Sequence, residues 1–184
     1  MESAELAARA RRAYEAGRLR WALQIGWIVV ALVAVSFVAA SPSAVTAVAG
    51  VVLLATVTAL RWRGQELTAA VRAGLLAGLI PFALLLTLKC TATVCCAMGG
   101  ALGNCMAHCQ LFCGFGGLAA GVLLASRAKK VDGSAVRFLV AGSAVAALTG
   151  LLGCFVGGVM GAMWMIAGEL AATAPVFALQ LRRR

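Results

Sequence analysis

Six runs of about 20 predominantly apolar residues, the length a helix needs to cross a bilayer, set the terms for this chain. They lie at 21–40, 44–60, 71–88, 105–126, 135–152 and 159–181. Hydrophobic residues make up 63% of the 184, whereas globular domains are nearer half apolar. In lipid every backbone N–H and C=O needs an internal partner, which restricts spans of this length to helices. The expected fold class is all-α: a polytopic membrane helix bundle with six transmembrane helices.

The charges give such a bundle its orientation. The net charge of +10 comes from 16 basic and 6 acidic residues. They flank the apolar runs instead of forming one basic face, so no direct nucleic-acid partner is expected. With the N-terminus inside, every basic residue except Lys89 falls on the cytoplasmic side, as the positive-inside rule requires of short loops. The expected topology is N-in and C-in. The inner arginines then face anionic lipid, each worth about 1 kcal/mol near the surface.

Residues 1–20 form a cytoplasmic tail in which Leu6, Ala10, Ala13 and Tyr14 recur at helical spacing among charges, the pattern of a short amphipathic helix. The apolar run after it is too long for a signal-peptide core, so an uncleaved first helix is expected. Residues 21–181 are the transmembrane domain, with an outer cysteine-rich segment at 89–113, and 182–184 are a basic cytoplasmic end. Ser41-Pro42-Ser43 and Asp132-Gly133 read as turns, and residues 89–104 as an irregular outer segment. Pro81 falls inside the third run, where neighbouring helices can satisfy the carbonyl it frees.

Small residues repeat at four-residue spacing: Gly74/Gly78, Gly117/Gly121, Gly153/Gly157 and Gly157/Gly161. Such pairs let helix backbones approach closely in lipid, within one chain or in a homo-oligomer. A C-x-x-G-G pattern recurs at Cys96, Cys113 and Cys154. It points either to related helix pairs three–four and five–six or to coincidence in an Ala/Gly/Val-rich chain.

Six of the seven cysteines lie between Cys90 and Cys113. Cys105, Cys109 and Cys113 are four apart, which on a helix makes a stripe with neighbouring Cβ atoms ~6 Å apart. That separation exceeds the ~3.5–4.5 Å of a disulfide, so the stripe residues must pair elsewhere, bind an ion or stay reduced. Cys113 lies deepest, so it is expected to be a free thiol or a metal ligand, or else to pair with Cys154 if the fourth and sixth helices touch. His108 lies about 60° from Cys105 on the wheel, and Met98 and Met106 flank the stripe. Cys95 and Cys96 are adjacent, and Lys89 beside Cys90 favours the thiolate. Thiolates, thioethers and one imidazole suit a soft metal ion such as copper or zinc. The candidate metal ligands are therefore Cys95, Cys96, Cys105, His108, Cys109 and Cys113, with Cys90, Cys154, Met98 and Met106 beside them. Structural disulfides, plain packing and reversible redox chemistry are open alternatives.

Glu169 is the one acidic residue deep in a span. A charge there costs a few kcal/mol unless protonated, paired or wet, so the residue either serves function or ties helices together. Met160, Met163 and Met165 either extend a soft-metal path or simply pack. Trp21, Trp27, Trp62 and Trp164 are expected to anchor at the interface. No Walker loop, Rossmann fingerprint, HExxH or GxSxG occurs, and the chain is not expected to be an enzyme.

Cys113, Cys154, the Trp164-x-x-x-Gly168 pair and the terminal arginines resemble the pattern of bacterial six-helix membrane anti-sigma factors. The resemblance covers the topology and roughly residues 109–184. It implies a bacterial-type inner (plasma) membrane, a regulatory role for outer-face cysteines, and a sigma factor held by the cytoplasmic tail. The chain departs from that family's His-Cys-Pro-Glu-like stretch, having Gly153-Cys154-Phe155-Val156, and Cys90 to Cys109 lie outside the pattern. Cys95-Cys96 is similar to the cysteine pair of small mercuric-ion transporters.

The leading functional expectation is a membrane sensor or regulator whose outer thiols bind a thiophilic metal or respond to redox state. The alternatives are a transporter of thiophilic metal ions, through Cys154, Met160 and Glu169, and a membrane thiol–disulfide oxidoreductase. The missing C-x-x-C counts against the last.

Overall fold

A computed structural model of the chain describes residues 2–39, 44–97, 102–129, 131, 134–154 and 158–182. The described residues form six helices: α1 (Glu2–Ala39), α2 (Ala44–Arg63), α3 (Gln65–Ala97), α4 (Leu102–Ala128), α5 (Ala135–Cys154) and α6 (Gly158–Arg182). Each is long and apolar enough to cross a membrane.

Three boundaries differ from expectation. The tail and the first span are one 38-residue helix. Nothing between Arg18 and Trp21 breaks a helix, and an added Cβ at Gly17 would meet nothing, so the backbone continues where the surroundings change. Exposed pairs Glu5–Arg9 at 3.3 Å and Arg11–Glu15 at 3.2 Å add a few tenths of a kcal/mol each, about 0.2–0.5 for i,i+4 pairs.

The second difference lies at α3, which runs for 33 residues and takes up 89–97 of the segment expected to be irregular. No glycine or proline intervenes until Gly99-Gly100. At 1.5 Å per residue, α3 is about 50 Å long against a hydrocarbon core of about 30 Å. Third, α4 begins at Leu102, before Cys105, which makes the whole stretch 105–113 helical. Gly64 alone separates α2 from α3, at φ 156°, a conformation that residues with a Cβ rarely adopt.

The closest helix pairs are α4 with α6 and α3 with α5; α1 rests chiefly on α2. Glycines explain the first two pairs. Gly114, Gly117 and Gly121 of α4 lie against Gly168, the Met165 backbone, and Glu169 with Ala172 of α6. Gly74 and Gly78 of α3 lie against Gly142 and Val145, and Ala146 and Thr149, of α5. Two of the four expected small-residue pairs thus mark the tightest contacts. Pro81 is buried, and its ring sits where Cβ atoms at Gly116 and Gly150 would lie.

Three buried hydroxyls find partners within their own helices. Ser36 donates to Leu32 O, Thr149 to Val145 O and Thr173 to Glu169 O, at 2.8, 2.8 and 3.0 Å. This back-bonding spares them an inter-helix partner.

Candidate functional site: a buried sulfur cluster

The described site residues converge where α4, α5 and α6 meet. Cys113 sits in the fourth turn of α4, Cys154 ends α5, and Met165 lies in the third turn of α6. Cys154 Sγ is 3.5 Å from Cys113 Sγ and 3.5 Å from Met165 Sδ. Both cysteines are 0% exposed and Met165 1%. Ala162 completes the buried cluster, with Ala147 and Leu151 packed beside it.

Glycine opens the space these sulfurs fill. A Cβ at Gly161 would lie 3.3 Å from Cys113 Sγ, and one at Gly150 would collide with Met165 Sδ. The cluster therefore depends on small residues in two helices that carry no sulfur ligand at those positions. Gly150→Ala is expected to push the thioether away from Cys154. Because Met is flexible, the cost in stability should stay below about 1 kcal/mol, under the usual range for overpacking. Thermal denaturation in detergent, native against variant, checks this.

Sulfur atoms 3.5 Å apart are in contact but well beyond the ~2.05 Å of a disulfide bond. Two reactions are open to them. An approach of about 1.5 Å would allow a disulfide. Alternatively, a soft ion about 2.3 Å from both sulfurs would subtend an angle of about 100° there, with Met165 as a third donor. Among the described residues no three of His, Cys, Asp and Glu gather to hold a metal. Two thiolates and a thioether suit a soft ion such as Cu(I).

Glu169 lies one turn beyond Met165 on the same face of α6. It is 3% exposed, its Oε1 is without a hydrogen-bond partner, and Ser143 of α5 lies in hydrogen-bonding reach of the carboxyl. The other expected residues divide in two. Met160 and Met163 are each 60% exposed and turn away from the cluster. The side chains of Cys90, Cys95, Cys96, Cys105, Met106, His108 and Cys109, and the whole of Met98, lie outside the described ones.

Two features are not resolved by the sequence. Met165 was not separable from Met160 and Met163 by spacing. Arg61, read only as a flanking charge, is 3% exposed and lies with its guanidinium carbon 3.8 Å from the centre of the Trp21 ring. Trp27, Trp62 and Trp164 are exposed. Comparisons with protein families, with curated proteins and with solved structures find no match to this chain.

Proposed function

We propose that the chain is a multi-pass sensor or regulator of a bacterial-type inner membrane, N-in and C-in, whose Cys113–Cys154 pair responds to oxidant or to a thiophilic metal ion. The observation that carries this reading is the contact of two fully buried thiols and a thioether contributed by three helices. A dithiol inside a membrane bundle is reached only by small or lipid-soluble reagents, which suits a sensor more than a general thiol exchanger.

In the oxidative mode the two Sγ atoms join. Two thiol protons and two electrons leave to a two-electron acceptor such as a quinone or a small disulfide. In the metal mode the ion replaces the thiol protons, and Cys113, Cys154 and Met165 hold it. Either event draws α5 toward α4 and α6. The signal then reaches the inner face and tail 2–20, where a cytoplasmic partner of the sigma-factor kind would be held or released. A coupling of about 1.4 kcal/mol changes partner affinity tenfold.

The test is retention of cytoplasmic proteins by the full chain in native membranes, with and without oxidant or Cu(I). Native protein should change its retained partner about tenfold on treatment, and Cys113→Ser and Cys154→Ser should not respond. Equal responses in native and variant protein would remove the reading. The orientation is checked separately: an epitope after residue 2 or residue 184 should stay unlabelled from outside intact cells.

Glu169 favours a second reading, transport of thiophilic ions, because it places a buried carboxyl one turn from the sulfurs. No ion flux into loaded vesicles above an empty-vesicle control would exclude it.

A further inference from the structure

The soft centre that two thiols can hold need not be an ion. Cys113 Sγ and Cys154 Sγ are 3.5 Å apart, so an atom bonded to both at about 2.3 Å subtends an angle of about 100°. At the same bond length a linear two-coordinate ion holds its sulfurs about 4.6 Å apart, and a trigonal one about 4.0 Å. An angle near 100° belongs instead to a pyramidal centre with a lone pair and a third substituent. Such a centre spans the two thiols where α4 and α5 already place them.

Charge selects the same centre. Cys113, Cys154 and Met165 lie in the apolar, membrane-length stretches of α4, α5 and α6, and Ala147, Leu151 and Ala162 pack around them. None of these side chains balances a charge. Two thiolates around a monovalent ion keep one net negative charge, which is costly at such a depth. Glu169, one turn along α6 from Met165, could only add to it. Trivalent arsenic bonded to two thiolates and one hydroxyl or methyl group is neutral. It is thiophilic, as soft centres are toward thiolates, and arsenous acid is a small uncharged molecule that enters where ions do not.

The third substituent has room at Gly161. Among the described residues, a Cβ there would meet Cys113 Sγ at 3.3 Å and Cys154 O at 3.7 Å and nothing else within 4 Å. That is space for one methyl-sized group beside the pair.

We propose that Cys113 and Cys154 form a chelating site for neutral trivalent arsenicals, arsenous acid or its monomethyl derivative. Two As–O bonds break and two As–S bonds form. Each thiol proton leaves on an arsenic hydroxyl as water, and arsenic stays trivalent. The third substituent occupies the notch at Gly161. This assignment rests on the reactive pair of the proposed function and names a ligand class for it. Bound arsenic ties α4 to α5 at their present separation and occupies both sulfurs, so it blocks the Cys113–Cys154 disulfide.

The test uses arsenous acid on the purified full chain, with Cys90, Cys95, Cys96, Cys105 and Cys109 replaced by Ser so that only the buried pair is counted. Native mass spectrometry should show one arsenic per chain, and arsenic X-ray absorption should show two sulfur neighbours. Cys113→Ser or Cys154→Ser in that chain should lower retention at least about tenfold, because a chelate becomes a single attachment. Should these variants fold poorly, the native chain decides: peptide mapping after oxidant should find the Cys113–Cys154 disulfide in untreated protein and lose it after arsenous acid. A chain that forms this disulfide but retains no arsenic overturns the arsenical site and leaves the redox reading standing. Equal retention in Cys113→Ser, a single sulfur neighbour, or a disulfide that forms equally with and without arsenous acid also overturns it. Neither disulfide nor arsenic would remove the reactive pair itself.

Discussion

Gly117→Leu is expected to separate α4 from α6 and to destabilise the protein by about 3 kcal/mol or more, the upper range of overpacking. A Cβ at Gly117 overlaps the Met165 carbonyl oxygen, with the Met165 carbonyl carbon at 2.8 Å. Backbone cannot turn aside as a side chain can, so the two helices must move apart. That movement also breaks the neighbouring approaches at Gly121 and at Gly168. Gly17→Leu is the matched control, because nothing lies within 4 Å of a Cβ there. Thermal or SDS denaturation in detergent should show a large loss for the first variant and almost none for the second. Equal stability in both would mean that α4 and α6 are not held by backbone contact.

The second large effect belongs to Glu169. Glu169→Lys puts a fixed cation where a carboxyl is 3% exposed. The Ser143 hydroxyl is its described polar neighbour, and a hydroxyl cannot neutralise an ammonium. A central lysine costs about 2.5–3.5 kcal/mol on insertion scales, and the loss of α5–α6 packing adds to it. Glu169→Gln keeps the shape and can still accept from Ser143. Its cost should stay below about 1.5 kcal/mol, as for other volume-conserving exchanges. Denaturation of the two variants gives the ranking directly. If glutamine is as harmful as lysine, the carboxyl makes a contact that an amide cannot replace. If glutamine is stable yet abolishes ion flux or partner response, Glu169 serves function and not packing.

The six helices were legible because each apolar run ends at charge, glycine or proline. Their true ends were less so, because the edge of hydrophobicity is not the edge of a helix. Lys89 and Cys90 read as a boundary, yet the hydrogen-bonded backbone of α3 runs on to Ala97. The same reasoning hid the continuity of α1. Facing was harder still. A helix that is apolar all round gives no periodic stripe to say which side is inward. Met165 at 1% exposure and Met163 at 60% look alike in sequence. Their difference is set by the rotation of α6, which Gly168 against Gly114 and Gly117 against Met165 impose. Cys113 with Cys154 is a partial exception, since the depth of Cys113 leaves Cys154 as its disulfide partner once the fourth and sixth helices touch, and that contact is what the sequence does not give. Arg61 was read as a topogenic charge, and its burial under Trp21 depends on where α1 crosses α2.

Three successive turns of backbone contact, at Gly114, Gly117 and Gly121, make α4 and α6 a single stiff beam. A beam transmits displacement as a lever does. Cys113 lies about 12 Å along α4 from Gly121, and Ala128 about 10 Å beyond it at 1.5 Å per residue. Closing the Cys113–Cys154 gap requires about 1.5 Å of travel at one end. If the beam turned about the level of Gly121, the far end at Ala128 would swing about 1.3 Å in the opposite sense, by the ratio of the two arms. Chemistry at two sulfurs would then be felt as a tilt of Arg127 and Lys129, at the opposite mouth of the bundle.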